Sequence, residues 1–263
     1  MTKEEILRGT DLFLLDLDGT VYLDETPIGD MKNTLMRLRK AGKQLVYLTN
    51  NSSKTEKEYR EKLVRVGLFE TGDGVYTSGM ATVAELNSRY AGKSVYLLGT
   101  EALKEEFRAA GVPLKEDAPE IAVLAYDVTL TFEKLKKFNE FLAGGAVYLA
   151  THPDDVCPTK GVPMPDVGSL IALFERTSGR HPDEIVGKPY PTMGRLISET
   201  YKVPCARACM VGDRMHTDIR FANNCGMKSI LVLSGETTRE SMGKYPDKPD
   251  LVLSDLNAIC GDH

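Results

Sequence analysis

Leu12-Phe13-Leu14-Leu15-Asp16-Leu17-Asp18-Gly19-Thr20 runs an unbroken apolar stretch into two carboxylates and a glycine. Such a run, closed by turn residues, reads as a buried strand. Side chains two apart in a strand share a face, so Asp16 and Asp18 converge if the extended geometry lasts through Asp18. Gly19 supplies a point for the chain to turn. Two acids at the open end of a buried strand need a cation or a shared proton to be tolerated. That pairing points to Mg²⁺ and to a carboxylate used as a nucleophile. Taken alone, the same residues also describe a strand ending in an ordinary turn.

Outward from this stretch, short apolar runs alternate with amphipathic ones, the pattern of an α/β protein. Strands are expected over 12–16, 45–49, 94–98, 121–126, 146–150, 208–212, 229–233 and 251–253. Helices are expected over 31–39 and 54–66, with Gly42 placed to stop the first. The region 79–183 holds strands and helices of its own, enough for a domain of roughly 100 residues. The motifs fall on either side of it. The expected organisation is therefore a discontinuous core, 1–78 and 184–263, carrying an inserted α/β cap at 79–183.

The 263 residues are 42% hydrophobic and 27% charged, ordinary for a soluble globular protein. A net charge of -5 argues against a broad nucleic-acid surface. No apolar run approaches the ~18 residues that would span a bilayer. The N-terminus lacks a secretory apolar segment, and five cysteines without CxxC pairs suit thiols rather than zinc ligands. The expected setting is cytoplasmic, with neither nucleic-acid polymer nor membrane as partner.

Three further motifs suit the same anion. Leu48-Thr49-Asn50-Asn51-Ser52-Ser53 ends a strand in hydroxyls and amides close to a helix start, where backbone N–H groups can bind phosphate. An N-cap for the following helix is the plainer reading. Val186-Gly187-Lys188-Pro189-Tyr190-Pro191 sets one lysine between glycine and proline, a point charge suited to a phosphoryl group and a neighbouring carboxylate. Most lysines are instead solvated. Val211-Gly212-Asp213-Arg214-Met215-His216-Thr217-Asp218-Ile219 places Asp213 at a strand end, five residues before Asp218. One acid could bind a metal while the other orients waters or the lysine. In open α/β sheets ligands bind beyond the carboxyl ends of the strands, where all four motifs would gather.

With these motifs in this order, the chain resembles the haloacid dehalogenase superfamily, and within it the capped phosphatases related to NagD and 4-nitrophenyl phosphatases. Smaller matches lie in LAYDVTLTFEKL at 124–135 and PDLVLSDL at 249–256. The resemblance implies a Rossmann-like parallel-sheet core with an inserted smaller α/β cap, Mg²⁺ as cofactor, and a small phosphorylated metabolite as substrate. It assigns Asp16 as nucleophile, Asp18 as general acid/base and Lys188 as the bridge between phosphate and Asp16. Gly19, Thr49, Asn50 and Asn51 would hold the substrate with Lys188. Asp16, Asp213 and Asp18, through its main-chain carbonyl, would hold the metal, and Asp218 would support that shell. A homodimer through the cap would suit the same resemblance.

The cap is expected to exclude water and touch the leaving group. Its candidate residues are His152 and Asp154 in one loop and Gly168 and Ser169 at a helix start. Nucleoside monophosphates, phosphoglycolate, sugar phosphates and pyridoxal phosphate all fit the class. A dehalogenase would have no use for Asp18, and no cap lysine stands in a recognisable setting for phosphonate hydrolysis. The alternative from another class is a phospholigand-binding or regulatory module that keeps the fold without turnover.

Overall fold

Leu12–Leu15 reads as uninterrupted apolar sequence because it lies between two other strands, with all four side chains fully buried. A computed structural model describes residues 1–157 and 162–260. It pairs Leu12–Leu15 in parallel with Ala208–Gly212 on one side and Gln44–Thr49 on the other. Outward from these lie Lys228–Val232 and Leu251–Leu253 on the first side and Gly74–Thr77 on the second. The chain thus begins in the middle, grows the sheet one way, then returns and grows it the other way. The reversal falls between Leu12–Leu15 and Ala208–Gly212, and parallel pairing brings Asp16 and Asp213 out at the same sheet end.

The helix Met31–Lys40 buries Met31, Thr34, Leu35 and Leu38 and turns Lys32, Arg37 and Lys40 outward. It ends where Gly42 adopts φ +74° and Lys43 donates back to the Leu38 carbonyl, a glycine-dependent stop. On one sheet face Phe13, Leu15, Tyr47, Val211 and Ile230 share a core with Leu35, Leu38 and Leu63. Gly74–Thr77 was absent from the expected strands. Its four residues run directly into the helix Ser78–Arg89 and are too few to stand out by periodicity.

By residue contacts the chain divides into two units. The first comprises Met1–Thr49, Glu56–Tyr76 and Lys188–His263. The second comprises Asn50–Thr55 and Thr77–Gly187. The second unit has its own parallel sheet, in the order Glu184–Ile185, Val147–Ala150, Ile121–Leu124, Val95–Leu98. Alternate residues of its strands feed two cores. Tyr96, Leu98, Ala122 and Leu124 face Phe138, Leu142 and Phe174. Val95, Leu97, Ile121 and Val123 face Leu86, Leu103 and Phe107.

The sequence places 50–55 with the core, but its hydrogen bonds run into the second unit. Ser52 Oγ lies 3.0 Å from Thr151 Oγ1 and accepts from Tyr126 N at 2.9 Å. Thr100 Oγ1 donates to Ser53 O at 3.2 Å. At the expected boundary near residue 78, Thr77 and Ser78 are the N-cap and first residue of the helix Ser78–Arg89. No helix among the described residues is long and apolar enough to cross a membrane.

Candidate active site

Extended pairing stops at Leu15, short of the distance over which Asp16 and Asp18 would alternate as in a strand. Leu17 O instead accepts from Thr20 N and Val21 N at 3.2 and 3.0 Å, wrapping a turn around the second acid. Asp16 remains anchored to the sheet by its N–H, which donates to Val211 O at 2.9 Å. Gly19 takes φ +87° within that turn, a conformation in which a side chain is strained. Asp18 reaches solvent, and its Oδ1 accepts from Asp24 N at 3.3 Å.

Lys188 is 1% exposed, against the usual fate of lysine. Its Nζ donates to Asp16 Oδ1 at 2.7 Å and to Asp218 Oδ1 at 2.6 Å. Burial alone would favour the neutral amine, but the two carboxylates outweigh it and raise the lysine pKa, so the ammonium persists. Asp218 Oδ2 accepts from Arg214 N at 3.1 Å. The turn between them is widened, with Ile219 N donating five residues back to Arg214 O at 3.2 Å. Such π turns are frequent at functional sites.

Asp16, Asp213 and Asp218 each offer an oxygen within 4.8 Å of the others, the group of this kind found among the described residues. Burial, then the charges of Asp16 and Asp218, push the Asp213 carboxyl up to about 7. Burial also raises Asp16, and Lys188 opposes that shift. Three crowded carboxylates with one ammonium leave an excess of negative charge. An all-oxygen donor set suits a hard divalent cation such as Mg²⁺. The side chain of Asp18 lies outside that group. Partial desolvation at the exposed site raises its pKa, and the nearby Lys62 ammonium opposes that rise.

Other residues that form the site were not read from the sequence. Glu236 N donates to Asp213 Oδ2 at 2.7 Å, and Thr20 Oγ1 lies 3.5 Å from Asp213 Oδ1. A Cβ on Gly235 would fall 2.0 Å from Asp213 Oδ2, and one on Gly212 would fall 2.2 Å from Asp218 Oδ2. These glycines let the backbone approach the acids closely. Gly235→Ala is therefore expected to displace the Asp213 carboxylate and weaken divalent-cation affinity by roughly tenfold or more, the scale of disturbed metal support. Calorimetric titration with Mg²⁺ checks this, and unchanged affinity would contradict it.

Thr49 is a buried strand end in the first unit. The remaining residues named from the sequence are held within the second unit. Asn50 Nδ2 donates to the two Asp154 oxygens at 3.2 and 3.3 Å, and Asn51 Oδ1 accepts from Ser53 N at 2.9 Å. His152, expected in a loop touching the leaving group, is fully buried. Its Nε2 lies 3.0 Å from Asp166 Oδ1 and its Nδ1 3.0 Å from Thr151 Oγ1, which makes it an interior support. Gly168 N donates to Asp154 O at 2.8 Å, and Ser169 Oγ donates to Asp155 O at 2.6 Å. A Cβ on Gly168 would meet Pro153 O at 2.3 Å.

A family profile for haloacid dehalogenase-like hydrolases matches residues 13–113, and a HAD-hydrolase-like profile matches 185–259. The 4-nitrophenylphosphatase of Thermotoga maritima superimposes with a TM-score of 0.94 at 42% identity, covering 98% of this chain and 99% of that one. The 5'-nucleotidase YutF of Bacillus subtilis is 30% identical over 244 residues, covering 93% of this chain and 95% of its own. The glycerol phosphate phosphatase of Mycobacterium tuberculosis, solved in complex with magnesium, aligns with a TM-score of 0.88 at 30% identity. That alignment covers 98% of this chain and 79% of the other. Matches of this extent, over a parallel sheet that gathers Asp16, Lys188, Asp213 and Asp218 at one end, place the chain among the haloacid dehalogenase-like hydrolases, in the company of their NagD and 4-nitrophenylphosphatase members.

Proposed function

We propose that the protein is a cytoplasmic, Mg²⁺-dependent phosphatase that hydrolyses small phosphomonoesters through an aspartyl-phosphate on Asp16. The observation that carries this reading is Lys188 Nζ, buried and shared between Asp16 Oδ1 and Asp218 Oδ1. It fixes the Asp16 carboxylate and supplies fixed positive charge where phosphoryl oxygens would collect. The phosphatase names of the relatives support the substrate class.

In the first half-reaction an Asp16 carboxylate oxygen attacks phosphorus and the bond from phosphorus to the ester oxygen breaks. Asp18 hands its proton to that departing oxygen. In the second, Asp18 takes a proton from water, the water oxygen attacks phosphorus, and the acyl-phosphate bond breaks to release phosphate and the Asp16 carboxylate. Lys188 and Thr49 hold the phosphoryl group throughout. Asp16, Asp213 and the main-chain carbonyl of Asp18, with Asp218 in support, would hold Mg²⁺, which when bound neutralises phosphoryl charge. Asn50, Asn51 and the 152–155 loop belong to the unit we assign as the cap. Nucleoside monophosphates, phosphoglycolate, sugar phosphates and pyridoxal phosphate are its candidate substrates.

The test is release of phosphate from a panel of phosphorylated metabolites with Mg²⁺, and its loss with EDTA. Failure to hydrolyse any of them, with binding retained, would favour the phospholigand-binding module. A second consequence concerns pH. The folded protein holds a proton on Asp213 between its ordinary pKa of 3.8 and about 7, which the unfolded chain has released. Stability of the metal-free protein therefore falls as pH rises through that window, by an amount on the order of a few kcal/mol. Mg²⁺ is expected to raise Tm more at pH 8 than at pH 5. Equal shifts at both pH values in thermal melts would count against the carboxylate cluster as the metal site.

A further inference from the structure

Lys62 lies on the helix Glu56–Arg65, whose Tyr59 and Leu63 face the core. Its Nζ stands 3.8 Å from the centroid of the Tyr22 ring, close enough for a cation–π contact. Tyr22 is fully buried, and its hydroxyl has no hydrogen-bond partner among the described residues. Contacts with its ring and its backbone therefore hold it. That backbone supports the second acid directly, because Gly19 N donates to Tyr22 O at 2.9 Å and Asp18 pairs with Tyr22 in an isolated bridge. Tyr22–Leu23 continues into a two-stranded ribbon with Thr26–Pro27. The tip of that ribbon sends Asp24 N back to Asp18 Oδ1 at 3.3 Å.

We infer that Lys62 is a positioning residue for Asp18. Its ammonium pins the Tyr22 ring, and through the ribbon it holds the Asp18 carboxyl where proton transfer to the leaving oxygen occurs. This rests on the assignment of proton transfer to Asp18 made above. A lysine that only stabilised the fold would slow every substrate alike. One that acts through Asp18 matters most where the departing oxygen needs a proton.

The experiment compares 4-nitrophenyl phosphate, whose leaving group departs readily as an anion, with glycerol 2-phosphate, whose alkoxide does not. Lys62→Met keeps the aliphatic stem and removes the charge. It is expected to lower kcat on glycerol 2-phosphate by roughly 10- to 100-fold, a partial loss reaching the lower end of what a general acid contributes. On 4-nitrophenyl phosphate the loss is expected to stay within about threefold, and Lys62→Arg should restore most of the alkyl activity, since guanidinium also stacks on aromatic rings. Equal losses on both substrates, or no loss, overturn the inference. Asp18→Asn is the control and should show the same preference more strongly. If it does and Lys62→Met does not, Lys62 alone is misassigned. If Asp18→Asn shows no preference, the role of Asp18 falls and the inference with it. Should Lys62→Met fail to fold, Lys62→Gln carries the same comparison.

Discussion

Asp16→Asn is expected to fold like the parent protein and to lose roughly four to six powers of ten in kcat, the scale seen when a covalent nucleophile is removed. The amide keeps the shape of the carboxyl, so the strand Leu12–Leu15 and its two parallel neighbours are undisturbed. The charge is what disappears. Asp213 would lose its largest electrostatic perturber after burial, and its pKa should move down from about 7. Metal-free stability near neutral pH should consequently hold or rise while turnover collapses. That opposition separates a chemical role from a structural one. The measurement is kcat alongside a thermal melt, and a variant retaining near-parent turnover would remove Asp16 as nucleophile.

Lys188→Met is expected to damage both properties together. The side chain is buried, and Asp218, its second carboxylate partner, is 1% exposed. Removing the ammonium leaves two acids facing each other without compensation. Breaking a buried ion pair from one side typically costs about 3–5 kcal/mol. Turnover should drop by at least about a thousandfold, since stabilisation of phosphoryl charge is lost along with the orientation of the attacking carboxylate. Lys188→Arg should not rescue it, because a planar, longer guanidinium does not fit a site built around a single point charge. Urea denaturation and kcat measured on the same preparation decide it. A stable, active Lys188→Met would show that the two hydrogen bonds of Nζ are incidental.

Much of the candidate site could be read from the chain because each polar group sits where an apolar run stops. Asp16, Thr49 and Asp213 are all of this kind, and a parallel sheet converts that local pattern into a common location. Lys188 was legible from the glycine and prolines that frame it. What escaped reading acts through backbone. Glu236 contributes an N–H and Gly235 contributes only the absence of a side chain, and neither property marks a sequence. The burial of His152 in its loop was not legible, because nothing near it in sequence announces Asp166, fourteen positions on, as its partner. The turn around Leu17 was hidden for the same reason. An Asp-Leu-Asp triplet looks the same whether extended or folded back, and the hydrogen bonds to Leu17 O decide between them.

The hexapeptide Asn50–Thr55 sets the terms on which parts of this protein could be exchanged with those of its relatives. A chimera cut at Thr77 and Gly187 would import most of a foreign second unit while leaving Ser52 and Asn50 from the host to find Tyr126, Thr151 and Asp154 replaced. Successful grafts should require both segments to travel together from one donor. Recombination at the obvious pair of junctions would then yield hybrids whose hexapeptide and recruited half are mismatched, and lineage by lineage the two stretches should be inherited as a set.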